Sequence, residues 1–245
     1  PDAWFHGYLW FGRLGMLPFA WLAAWSIWRL ARSAFGELAG LAALGLHAVH
    51  PVVLGHASLM TADMPLAAGY TFVVWRAFEW LQRPGLRNLL LLGIGLGGTL
   101  ATKYLALFLV PALALTAAFA VGWLRVRPQF RWHPAASPPP TTILRSGTLV
   151  SASIAIVATV ALATLHTAYL WQPGGYEPKP VAAATEPVDP RDPEAGPLSQ
   201  LLRENIDRPL VRTAVSILPE PFVRGIDYQK LYSESGGQTR FGDSI

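Results

Sequence analysis

Apolar residues in this chain run in unbroken blocks instead of alternating with polar ones, and the blocks have the length that a bilayer core demands, about 20 residues for a helix. Phe11 to Leu30 forms the first block, with Trp4, Trp10, Trp25 and Trp28 toward its ends, where interfacial aromatic anchors sit. Leu38 to Gly55 is the second, interrupted near its end by the His50-Pro51 step, and Met64 to Leu81 is the third. Leu89 to Leu124 is about twice one span, with Lys103 as its only charge, so it is predicted to fold back near Thr102-Lys103 as a short fourth helix and a full fifth. Residues 125–142 carry the Pro138-Pro139-Pro140 run and read as an extended loop. Ser146 to Trp171 is the sixth block. The pattern predicts an all-α, polytopic transmembrane helix bundle of about six spans over residues 1–171.

The remainder, residues 172–245, is different in kind. Gln172 to Pro197 is rich in Pro, Gly, Ala and acidic residues, as linkers and mobile loops are. Leu198 to Ser216 places Leu198, Leu201, Leu202, Ile206, Leu210 and Val211 between charges, which predicts a short amphipathic helix lying on the membrane and broken at Pro209. Because the chain begins at Pro1 without an initiator Met and ends in polar sequence, it reads as a piece of a longer protein.

Charge decides the orientation. Of the residues, 52% are hydrophobic and 14% charged, with a net charge of +4, where an average soluble domain has roughly 25% charged residues. The positive charge is not spread as on a nucleic-acid-binding surface: nine arginines (Arg29, Arg32, Arg76, Arg83, Arg87, Arg125, Arg127, Arg131 and Arg145) follow or close blocks one, three and five, while the opposite face has only Arg13 and Lys103. The positive-inside rule assigns the nine to the cytoplasm. Asp2, His6, His56, Asp63, Lys103 and the tail then lie on the extracytoplasmic side. There is no cysteine, which excludes disulfides, thiol catalysis and Cys-based metal sites.

Ionisable groups next to apolar spans are the candidates for chemistry, since a central Lys or Asp costs about 2.5–3.5 kcal/mol on insertion scales. Lys103 either snorkels to the interface or presents an ammonium to a phosphate. Asp63, at the mouth of the third block, either caps the helix, a role Thr61 could share, or lines an outer cavity. His56 lies seven residues before it, as a hydrogen-bonded packing residue or as a base or ligand lining the same cavity. Arg13 is a second phosphate-binding candidate by its fork of donors, or else an interfacial anchor, and shares a helical face with His6. Gly93, Gly95, Gly97 and Gly98 loosely echo a dinucleotide loop, but no strand precedes them; their small size suits close helix packing.

Three stretches together resemble the membrane domain of the GT-C glycosyltransferases, in the branch of the protein O-mannosyltransferases and lipid A aminoarabinose transferases. They are GRLGMLPFAWLAAWSIWRLARSAFGELAGLAALGLHAVHPVVLGHASLMTADMPLA (residues 12–67), LLLLGIGLGGTLATKYLALFLVPALAL (89–115) and LPEPFVRGIDYQKLYSESGGQTRFGD (218–243). The resemblance implies a membrane enzyme, in the bacterial inner membrane, that moves a sugar from a polyprenyl-phosphate-linked donor to a protein or glycolipid acceptor on the extracytoplasmic face. It implies that Lys103 and Arg13 bind the donor phosphate and that Asp63 and His56 line the cavity. It implies further that the catalytic base belongs to a first outer loop preceding Pro1, and it leaves the use of a divalent metal open. A secondary transporter or lipid flippase would also carry Lys and Asp near the membrane, with broken helices at mid-depth. A non-catalytic scaffold subunit predicts that Lys103 and Asp63 face lipid headgroups or pair with each other.

Overall fold

The computed structural model describes residues 11–59, 61–116, 147–171, 208–223 and 225. These residues are mostly helical, in the order α1 (Leu17–Phe35), α2 (Glu37–Val49), α3 (Pro51–Ser58), α4 (Asp63–Gln82), α5 (Leu86–Thr102), α6 (Leu105–Thr116), α7 (Gly147–Ala168) and α8 (Pro209–Ile217). The beginning of α6 is wound as a 3-10 helix, Tyr104–Phe108. Two compact units, Pro1–Thr164 and Leu165–Ile245, divide the chain.

In the first unit, breaks in the apolar blocks follow from particular residues. α1 stops at Gly36, whose φ of 95° lies in the left-handed region that favours glycine, and whose N–H caps the Arg32 carbonyl. The chain doubles back there, and Gly40 of α2 lies so close to α1 that a Cβ would stand 2.9 Å from Arg32 Cβ. The His50-Pro51 step is stronger than a mid-span kink: His50 is extended, as a residue before proline prefers, and α2 and α3 are bent by 60°. α4 and α5 form an antiparallel pair in which Gly69 faces Thr99 and Gly95 faces Phe72. α5 packs on α7 through Gly93 and Gly97, where an added Cβ would lie 2.7 Å from Val160 and 2.3 Å from the Ala161 carbonyl oxygen. The glycine run of α5 thus works as a helix-packing surface on two sides.

The fold-back at Lys103 is legible in the core. Leu92 and Leu96 before it share one buried cluster with Leu109 after it, together with Val73 and Ala161. In one straight helix Leu92 and Leu109 would be about 25 Å apart along the axis, so the chain must reverse between them. A second cluster joins α1 to α4 through Ala23, Met64 and Ala68. Leu38, Phe35 and Phe11 lie on the outside, 82%, 79% and 77% exposed, as suits helices facing lipid.

The predicted count of six spans is coarser in the structure. Phe11–Phe35 and Val150–Ala168 are each long and apolar enough to cross a membrane, and the bent pair α2–α3 makes a third if it counts as one span. α4 carries Asp63, Arg76 and Glu79 within its 20 residues, and α5 and α6 are apolar but short. The rest of the fifth block, the 125–142 loop with its arginines, and the linker of residues 172–197 lie outside the described residues.

In the second unit, α7 ends on Leu170 and Trp171, both in left-handed backbone with φ of 54° and 56°. The Trp171 N–H caps the His166 carbonyl at 2.8 Å, and the Trp171 ring stacks on His166. Left-handed geometry costs an L-residue about 1–2 kcal/mol, so Leu170→Gly, at a side chain 83% exposed, is expected to stabilise the chain by about 1 kcal/mol. Equilibrium unfolding in detergent checks it.

Of the amphipathic segment predicted at Leu198 to Ser216, the described residues hold the part from the predicted break at Pro209 onward. α8 starts at Pro209 itself, with proline in the first turn where its missing N–H costs nothing. It buries Val215 with Val223, Val211 and Leu218, whereas Leu210 is 85% exposed. Its apolar face is therefore covered, at least in part, by the segment that follows it. Residues 198–207 lie outside the described residues.

A candidate anion site at the α5–α6 break

Asp63 is the first residue of α4, and the apolar run proper begins at Met64. A carboxylate there suits the positive end of a helix. It does not cap: the N-cap is Ala62, without any side-chain cap hydrogen bond, and among the described residues Thr61 Oγ1 is buried without a partner. The capping role expected of Asp63 or Thr61 is thus not taken. The reason is a stronger competitor for the carboxylate.

That competitor is Lys103. α5 ends at Thr102, and Lys103 is extended, with φ −160° and ψ 140°, before the 3-10 turn begins. The break brings the ammonium to Asp63 across 40 residues of sequence, and Nζ donates to Oδ1 at 2.7 Å. A charge-assisted bond of this length is among the stronger side-chain contacts. On the other oxygen, Oδ2, His56 Nδ1 stands 3.7 Å away from the last turn of α3. His56 Nδ1 is buried and among the described residues has no hydrogen-bond partner. The Lys103 hydrogen bond holds the Asp63 carboxyl below the usual range; partial burial opposes this, and the charges of Lys103 and His56 assist.

Tyr70 completes the frame. It lies two turns along α4 from Asp63, and its hydroxyl donates to the Leu105 carbonyl at 2.8 Å. The segment carrying Lys103 is thereby tied to α4 on both sides of the break, by Asp63 and by Tyr70. Sequence reasoning passed over Tyr70, although its spacing of seven from Asp63 puts both on one helical face.

Three of the four residues singled out in the sequence, His56, Asp63 and Lys103, are thus brought together. Arg13 is exposed, and among the described residues its side chain has no hydrogen-bond or ion-pair partner. The pair itself is open to solvent, with side-chain exposures of 30% for Lys103 and 42% for Asp63. Such a pair adds little to stability, but its ammonium can exchange one anion for another. Among the described residues no three His, Cys, Asp or Glu side chains gather in a metal-binding group.

No curated protein and no solved structure matches the chain. A family model does: that of dolichyl-phosphate-mannose-protein mannosyltransferases, over residues 5–134, a little more than half of the chain. The matched stretch contains Arg13, His56, Asp63 and Lys103, whereas the resembling stretch at 218–243 falls outside it. On this match the chain, with its apolar helices, belongs to the dolichyl-phosphate-mannose-protein mannosyltransferase family, a family of membrane glycosyltransferases.

Proposed function

We propose that this protein transfers a sugar from a polyprenyl-phosphate-linked donor to a hydroxyl of a protein or glycolipid acceptor, on the extracytoplasmic side of a bacterial inner membrane. The observation that carries the reading is Lys103, an ammonium partly exposed at a helix break inside the matched segment, held by a carboxylate that a phosphate could replace. In the transfer, the acceptor hydroxyl gives its proton to a carboxylate base and its oxygen attacks the anomeric carbon while the bond from that carbon to the phosphate oxygen breaks. Negative charge accumulates on the departing lipid phosphate, and a fixed cation beside it lowers the barrier. Lys103 takes this part, with Arg13 as a second cation. Asp63 and His56 line the same cavity, Asp63 holding Lys103 in place before the donor arrives. Transfer from a radiolabelled polyprenyl-phosphate sugar, measured with the full-length protein and its Lys103 variants, tests the reading.

One observation favours a different reading. Lys103 and Asp63 pair with each other, which is the arrangement a non-catalytic scaffold predicts. The two readings part over what the ammonium does when a phosphate is offered. In a scaffold, donor lipid leaves the pair intact and Lys103 substitutions leave transfer unchanged.

The proposed topology has six spans in residues 1–171 and an extracytoplasmic segment at 172–245. Its support is the asymmetry of the nine arginines against Arg13 and Lys103. Cysteines introduced at Ser137 and Ser235 are expected to label from opposite sides of the membrane, Ser137 from the cytoplasm, with a membrane-impermeant maleimide. Labelling of both from one side would refute it.

A further inference from the structure

The end of α4 remote from Asp63 holds a second concentration of cationic and aromatic groups. Arg76 lies 13 residues along the helix, about 20 Å at the helical rise, and is only 8% exposed. Its guanidinium stacks over Trp75 at 4.3 Å and donates through Nη2 to Asn88 Oδ1, while its Nε has no acceptor. Arg29 of α1 sits over the same Trp75 at 5.4 Å and over Trp25 and Trp28 at 5.8 and 6.0 Å. Glu79 accepts from Trp75 Nε1 at 3.2 Å and lies 4.0 Å from Arg29. Glu37 is paired with Arg32.

Both carboxylates of this region are thus engaged, yet donors are left over. Among the described residues Trp28 Nε1, Arg76 Nε and Gln82 Nε2 are all buried without a partner, and Gln82 lies on the Trp75–Glu79 face of α4 at helical spacing. These three are all donors, Ser26 Oγ beside them on α1 can also donate, and the local charge is positive. Both imbalances are corrected by one kind of ligand, an anion with several acceptor oxygens, and a phosphate matches guanidinium forks best. Basic residues that serve only to orient a protein in the bilayer need to be charged and exposed; they do not need buried donors waiting for an acceptor.

Position indicates where the phosphate comes from. Phe11–Phe35 is one of the helices able to cross the bilayer, so its far end lies at the headgroup level. Trp21, Trp25 and Trp28 form a stripe up that end, with ring centroids 5.5 and 5.1 Å apart, and Trp21 is 64% exposed. Indoles concentrate at the headgroup layer. We infer that the α1–α4 end carrying Arg29, Arg76, Trp28 and Gln82 binds the phosphate headgroup of an anionic membrane lipid, separately from the site at Lys103.

Native mass spectrometry of the full chain, released from micelles containing equal phosphatidylglycerol and phosphatidylcholine, tests this. One phosphatidylglycerol retained per chain is expected, about tenfold over phosphatidylcholine, as for a charged hydrogen bond in a shielded site. Arg29→Gln is expected to lower that retention about tenfold, and Trp28→Phe, which keeps an aromatic ring but removes the orphan N–H, about threefold. Circular dichroism establishes that both variants remain folded. Equal retention of the two lipids, or a preference that survives both substitutions, overturns the proposal and leaves the cluster an interfacial anchor. Displacement of the lipid by millimolar inorganic phosphate overturns the lipid assignment in favour of a soluble phosphate.

Discussion

Lys103→Ala is expected to reduce sugar transfer by about 10²–10³-fold, the loss that follows removal of one preorganised donor to a developing anion. The kinetic form of the loss identifies the role. An ammonium that holds the donor phosphate equally in ground and transition states raises donor KM when removed; one that acts on the departing phosphate lowers kcat. Lys103→Arg should restore only part of the activity, because a planar fork projecting from an extended residue cannot put its charge where a single ammonium was. Since Lys103 also ties α5 to α4 through Asp63 at 2.7 Å, a structural loss must be told apart from a chemical one. Asp63→Asn removes the same ion pair while leaving the cation. A scaffold would show the same small change in unfolding midpoint for both variants and no change in transfer for Lys103→Ala, and that outcome would sink the functional reading.

The second large effect concerns packing. Gly97→Ala is expected to destabilise the first unit by about 1–3 kcal/mol, the range for overpacking a filled contact. The new Cβ would stand 2.3 Å from the Ala161 carbonyl oxygen, a backbone atom that cannot swing aside. Gly98→Ala, one residue on, meets nothing within 4 Å and is expected to be neutral or to stabilise by up to about 1 kcal/mol through helix propensity. Unfolding in detergent compares the two directly. Equal behaviour of Gly97→Ala and Gly98→Ala would mean that α5 and α7 do not pack through this face.

Several features of the site were legible in the sequence because the membrane makes them rare. A lysine alone in 36 residues of apolar sequence stands out by its insertion cost, and the length of that block required a reversal. Asp63 was identified for the same reason, with capping and cavity-lining left open as its role. The sequence around it has a capping pattern, and only the arrival of Lys103 from 40 residues away took the carboxylate out of that role. Arg13 illustrates the converse: its position at the mouth of a span was readable, but no described partner joins it to the pair.

What the sequence determined by itself was a helical membrane chain with two interruptions in place: the His50-Pro51 step and Lys103 both end helices in the structure, as Gly36 also does. These are local consequences of hydropathy, of proline and glycine stereochemistry and of the cost of burying charge, and they need no knowledge of neighbours. Only the tertiary structure decided which groups meet. The 60° bend of α2 against α3, the Tyr70 bond to Leu105, the burial of Arg76 over Trp75 and the covering of α8 by Val223 each join residues whose contact depends on how helices cross. Helix periodicity states which residues share a face but not which face they find opposite, and that choice is made by the shape of the packed surfaces, here by glycines that let α5 approach α4 on one side and α7 on the other.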